Sequence, residues 1–221
     1  MVCCCCVVSL GECVVNIWFS LDVLYLIGTA SFTISGYLIG ARKRFDLLGV
    51  IILALLTAIG GGVIRDVLVN RMPRVFVDIS PFYTIFATLL VAWLIKLQNK
   101  NKGVLFKLFI VADSIGLVAF SLAGAQLGID MQLNLFGVCA LSFITAIGGG
   151  LVRDMMVNDV PFILHEDFYG TVSILMALLL VLSDQFGFAG IAATWVLFAL
   201  GLTLRLVAHK SELSLPKVGA Q

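Results

Sequence analysis

Apolar residues in this chain come in seven long runs separated by short polar turns. Residues 23–41, 47–64, 79–95, 103–129, 131–152, 168–183 and 185–204 each extend for 16 or more positions with at most two charges. A hydrocarbon core takes about 20 helical residues, so each run is predicted to cross a bilayer once tilt and snorkelling ends are allowed for. The predicted fold is all-α, a polytopic membrane protein of seven transmembrane helices. Composition agrees: 61% of residues are hydrophobic and 12% charged, whereas soluble domains hold about 45–50% and about 25%.

Comparing the chain with itself changes the picture from seven helices to a duplication. TAIGGGVIRDVLVNRMP, from Thr57, returns as TAIGGGLVRDMMVNDVP, from Thr145, with 11 of 17 positions identical. The same 88-residue offset pairs Gly28 with Gly116, Phe32 with Phe120, Gly36 with Gly124, Gly40 with Gly128 and Gly49 with Gly137. The repeated unit is therefore three helices. Three is odd, so the second copy enters from the opposite side, an inverted arrangement common in membrane transport proteins. The expected organisation is a cysteine-rich leader (1–16), a first three-helix repeat (17–98), a second, inverted one (99–184), a seventh helix (185–207) and a tail (208–221).

Charge fixes an orientation. Arg42, Lys43, Arg44, Lys96, Lys100, Lys102, Lys107, Arg205, Lys210 and Lys217 fall on one side, and only Arg71 and Arg74 on the other. The positive-inside bias puts the C-terminus in the cytoplasm and the N-terminus outside. A net charge of +1 without a polybasic run excludes a nucleic-acid partner. Cys3, Cys4, Cys5, Cys6, Cys13 and Cys139 have no neighbouring His to complete a zinc set, so neither a metal nor a cofactor is expected. Residues 1–15 lack the basic start of a signal peptide and are read as an extension of the first helix or the product of a misplaced start codon. His165 and His209 are placed in loop and tail, His165, Glu166 and Asp167 read as a solvated loop, and no hydrolase, zincin or phosphate-loop motif occurs; no enzyme is expected.

Candidate pathway residues cluster on the duplicated motif. Gly60, Gly61, Gly62 and Gly148, Gly149, Gly150 interrupt strong apolar helices, where each glycine costs roughly 1 kcal/mol. They predict two breaks around one wet pathway, because lipid cannot satisfy freed backbone groups. Thr57 and Thr145 would offer carbonyl and hydroxyl oxygens to a cation at those breaks. Tight packing is the competing reading, as for the GxxxG pairs Gly36/Gly40 and Gly124/Gly128. Arg65, Asp66, Arg153 and Asp154 are functional suspects because charge at this depth is expensive; alternatively each Asp complements the dipole of the helix restarting after the break. Asn70 and Asn158 are expected to pair with those Asp residues and end each helix before Pro73 and Pro161. Asp113, with Ser114, is a further pore candidate and Lys107 an interfacial anchor. Gln126, Thr33, Ser35 and Ser121 carry little individual weight.

The doubled GGGxxRD, after Thr-Ala-Ile and before an Asn and a Pro, resembles the prokaryotic trimeric intracellular cation channel family, a group that also includes proteins labelled glycine transporters. The resemblance covers about residues 21–206. It implies a homotrimer with a pore in each subunit, helices two and five kinked at the glycine triplets, and potassium as the favoured ion. The matching positions are Gly60, Gly61, Gly62, Arg65 and Asp66, then Gly148, Gly149, Gly150, Arg153 and Asp154. The lipid-binding and lysine features of animal members have no counterpart at matching positions here. The expected function is a channel for monovalent cations, potassium and sodium, in the prokaryotic inner membrane; the alternatives are a carrier for a small neutral solute such as glycine, and a non-conducting scaffold.

Overall fold

A computed structural model describes residues 4–164, 169–188 and 190–211, with side chains from Asp22 onward. The expected solvated loop His165–Glu166–Asp167, the side chains of the cysteine leader and the tail beyond Ser211 lie outside the described residues. Eight α-helices appear among them, α1 (Cys4–Arg42), α2 (Leu47–Leu68), α3 (Arg74–Val77), α4 (Ser80–Leu94), α5 (Lys102–Asp130), α6 (Leu135–Met156), α7 (Tyr169–Gln185) and α8 (Ile191–Lys210), with short 3-10 turns at Leu97–Asn99 and Phe162–Leu164. Asp22–Arg42, α2, α5, α6 and α8 are long and apolar enough to cross a membrane, and α4 and α7 are shorter apolar helices. The protein is an all-helical membrane protein.

Several boundaries move. The first helix is continuous from Cys4, so the leader from that residue onward extends it. The fifth apolar run begins its helix at Leu135 rather than Met131, and the seventh at Ile191 rather than Gln185, because Met131 and Gln132, then Phe186 and Gly187, are turns. At its other end this helix runs on to Lys210, so that His209, expected in the tail, is helical, and Arg205 is 1% exposed.

Local sequence explains the ends. Asp46 caps α2 by accepting the Gly49 N–H, and Asn134 caps α6 by accepting the Gly137 N–H; an Asp or Asn oxygen satisfies one of the free amides of a first turn. Asn70 and Asn158 both sit at φ 54, the left-handed position after a helix that Asn adopts at low cost. There the Arg71 N–H reaches back to Asp66 O (2.8 Å) and the Asp159 N–H to Asp154 O (3.0 Å). The Asn residues thus end α2 and α6 through backbone geometry, which replaces the expected Asp–Asn side-chain pairs.

Small residues set the packing. A methyl on Gly36 would lie 2.6 Å from Ala54 Cα, and one on Gly124 2.8 Å from Leu141 O, so α1 crosses α2, and α5 crosses α6, backbone against backbone. Phe32 and Phe120 meet at 5.2 Å between α1 and α5. The helices α4, on one side, and α7 with α8, on the other, complete two apolar cores.

Candidate functional site

The glycine triplets do not break their helices. α2 and α6 run as uninterrupted α-helix through Gly60–Gly62 and Gly148–Gly150, and all six glycines are buried. A methyl on Gly61 would collide with the Thr145 carbonyl oxygen, and one on Gly149 with that of Thr57. Each carbonyl therefore rests on the facing glycine, and the triplets are where α2 and α6 cross. Close approach offsets the propensity cost of the glycines without freeing any backbone group, which is why no unwinding results. The Thr57 hydroxyl donates to Leu53 O (2.6 Å) and that of Thr145 to Leu141 O (2.6 Å). Both residues are fully buried, with hydroxyl and carbonyl turned to protein rather than offered at a break.

One turn beyond the crossing lie two Arg–Asp pairs. Arg65 Nε donates to Asp66 Oδ1 (2.8 Å), and Asp66 Oδ2 accepts the backbone N–H of Arg74 (2.9 Å). Arg153 Nε donates to Asp154 Oδ1 (2.8 Å), and Asp154 Oδ2 accepts the N–H of Phe162 (2.8 Å). Both Asp residues belong to the last turn of their helix, not the first turn of a new one, so the dipole opposes them there. Arginine and a loop amide hold them instead, and each carboxylate pins the segment after Pro73 or Pro161 to its helix end.

Surroundings separate the two. Arg65 and Asp66 border a cavity of about 410 Å³ with Asp22, Tyr25, Arg71, Arg74, Asp78, Gln126 and Asp130. Arg74 bridges Asp22 (2.8 Å) and Asp78 (3.2 Å) and lies 4.8 Å from the Tyr25 ring centroid. The backbone N–H and hydroxyl of Ser80 hold the Asp78 carboxyl below the usual carboxylate range. Arg153, by contrast, has no exposure. Its Nη1 donates to Asp113 Oδ1 (2.6 Å) and to Ser35 Oγ, and its guanidinium covers the Phe109 ring at 4.8 Å. A methyl on Gly150 would meet both Tyr169 Oη (3.1 Å) and Arg153 Nη2 (3.6 Å), which places Tyr169 beside this cluster, and the Tyr169 ring lies 4.9 Å beneath the Arg205 guanidinium. A second, basic cavity of about 690 Å³ reaches Phe109 from a rim of Arg42, Arg44, Lys100 and Lys102.

Asp113 is thus joined to Arg153 and Asp154, whereas Arg65 and Asp66 form a separate centre. Ser35, given little weight by the sequence, is a member of the second centre, and Tyr169 and Arg205 are members that sequence reasoning missed. Ser35 meets Arg153 across 118 positions, and only a buried Arg inside an apolar helix could have flagged Arg205. Lys107 is exposed, as an anchor requires. Among the described residues no group of three or more His, Cys, Asp or Glu is placed to hold a metal ion.

Crossed apolar helices thus carry buried charge next to cavities in a membrane protein. The chain belongs to the family described as Glycine transporter, whose model matches residues 22–98 and 110–185. A UPF0126 membrane protein of Vibrio cholerae is 32% identical over 88% of this chain and 82% of its own length. A solved TRIC cation channel, from work on the structural basis for conductance, superposes with a TM-score of 0.77 at 32% identity, over 90% of this chain and 98% of its own. The TRIC trimeric intracellular cation channel orthologue from Rhodobacter sphaeroides does so with a TM-score of 0.80 at 25% identity, over 87% and 98%. The family suggested by the duplicated motif is therefore the one to which the chain belongs.

Proposed function

We propose that the chain is a passive channel for monovalent cations, potassium and sodium, in a bacterial inner membrane, with one pore in each subunit of a homotrimer. The observation that carries this reading is the similarity to solved cation channels over about nine-tenths of the chain. Seven helices would cross: α4 and α7, of 15 and 17 residues, span about 22–26 Å at 1.5 Å per residue, enough for a locally thinned core. Two inverted three-helix units, α1/α2/α4 and α5/α6/α7, are supported by matched family segments that begin 88 residues apart and by caps that recur at that offset. The loop charges favour an outer N-terminus and a cytoplasmic C-terminus.

In this reading the pathway runs from the cavity at Arg65 and Asp66, past the crossing of Thr57 and Gly60–Gly62 with Thr145 and Gly148–Gly150, to Asp113, Arg153 and Asp154. A packed crossing between two polar sites corresponds to a closed state, and conduction requires the crossing to loosen. Planar bilayers containing the purified protein should show single-channel steps selective for cations over chloride; a bilayer without steps would overturn the proposal.

The family description supports a second reading, a carrier for a glycine-like solute. The outer cavity presents both Arg and Asp, and such a lining suits a zwitterion. Alternating access would rock one repeat against the other. Saturable, competable glycine uptake into proteoliposomes would decide for it.

A further inference from the structure

The inner cavity and the Arg153 centre are separated by one aromatic side chain. Phe109 lines the cavity and is itself only 6% exposed. The Arg153 guanidinium covers its ring, the edge of Phe162 meets it at 5.7 Å, and Phe106 stacks at 6.4 Å. Behind the ring are Arg153, with no exposure and an Nη2 that has no hydrogen-bond partner among the described residues, and Asp113, 1% exposed. A ring face substitutes in part for water around a guanidinium, so this aromatic both dries the charge and shields it from the cavity. On the outer side the position 88 residues before Phe162 is Arg74, and that cavity borders Arg65 and Asp66 directly.

We propose that Phe109 is the inner seal: with its ring in place the basic cavity ends there, and displacement of the ring makes that cavity continuous with the Arg153–Asp113–Ser35 cluster. Apolar constrictions of this kind close water pathways by dewetting. The inference rests on the channel reading for its consequence in conduction, but the barrier itself is testable without flux.

The test uses the full chain in liposomes, its native cysteines replaced by serine, with Ser35→Cys as the reporter. A small anionic methanethiosulfonate is applied from the side of Arg42 and Lys100. Phe109→Ala should raise the rate of thiol modification about tenfold or more, because removing the ring lets water reach the cluster, and Phe109→Leu should leave it nearly unchanged. Should Phe109→Ala not yield folded protein, Phe109→Val supplies the same comparison. Equal rates with and without the ring would overturn the seal, whether or not the wild type conducts potassium. A rate difference in protein without potassium flux would keep the barrier and overturn the channel reading instead.

Discussion

Arg65–Asp66 and Arg153–Asp154 occupy equivalent turns of α2 and α6, with the same Arg Nε to Asp Oδ1 bond and the same loop amide on Asp Oδ2. What differs is the residue 88 positions away in the neighbouring helix. α1 brings Tyr25 to the first pair, and α5 brings Asp113 to the second. Near the first stand Arg74, Asp22 and Asp78 around a cavity; near the second stand Phe109, Phe162 and Tyr169. Local structure is thus duplicated while its environment is not, and one pair borders a cavity where the arginine of the other is fully enclosed. The lesson is that sequence symmetry specifies the crossing, and departures from it decide which side is accessible.

The sharpest way to break the comparison is to remove each arginine. Arg153→Ala leaves Asp113, 1% exposed, without the buried cation it is bonded to and should cost about 3–5 kcal/mol. Arg65→Ala leaves Asp66 beside a cavity and should cost about 1–3 kcal/mol. Thermal unfolding in detergent measures both, and equal losses would erase the distinction. Next come the glycines. Gly61→Ala and Gly149→Ala push a methyl into a carbonyl of the facing helix and should cost about 1–3 kcal/mol. A methyl on Gly62 meets nothing nearer than Tyr25 Oη at 3.6 Å, so Gly62→Ala should be neutral or stabilising by up to about 1 kcal/mol.

A finer comparison concerns permeation. Asp66→Asn removes a charge that borders a cavity, so it should lower cation selectivity more than Asp154→Asn does, as read from reversal potentials in a salt gradient. Identical shifts would mean that both carboxylates face the ion equally. The smallest effects lie in the loops. Lys43 and Asp159 pair at 2.6 Å but are 33% and 47% exposed, so Lys43→Ala should cost about 0–1 kcal/mol and less in high salt. Asp78 has a depressed folded pKa, so its stabilisation is present above the unfolded value and disappears as pH falls through the folded one. Asp78→Asn should therefore lower stability at neutral pH and leave the acid end nearly unchanged, which flattens the acid limb of the stability profile.

Much of this was legible in the sequence, and the exceptions share a cause. Apolar runs and the 88-residue offset located the helices and marked Gly60–Gly62, Arg65, Asp66 and their counterparts, since both signals are local or periodic. Triplet glycines were read as breaks because their cost was weighed within one helix; the facing carbonyls of Thr145 and Thr57, which make intact helices preferable, belong to another. Asn70 and Asn158 carried a usable signal, an Asn three residues before a Pro, which marks a left-handed helix end. Ser35, Tyr169 and Arg205 join the site only through tertiary contacts, and no spacing announces those.

Potassium flux from liposomes under an imposed potential, with and without a large excess of glycine, tests the central claim most directly. The expected result is flux that does not saturate and is indifferent to glycine. Absent potassium flux together with saturable glycine exchange would contradict it and assign the fold to a carrier.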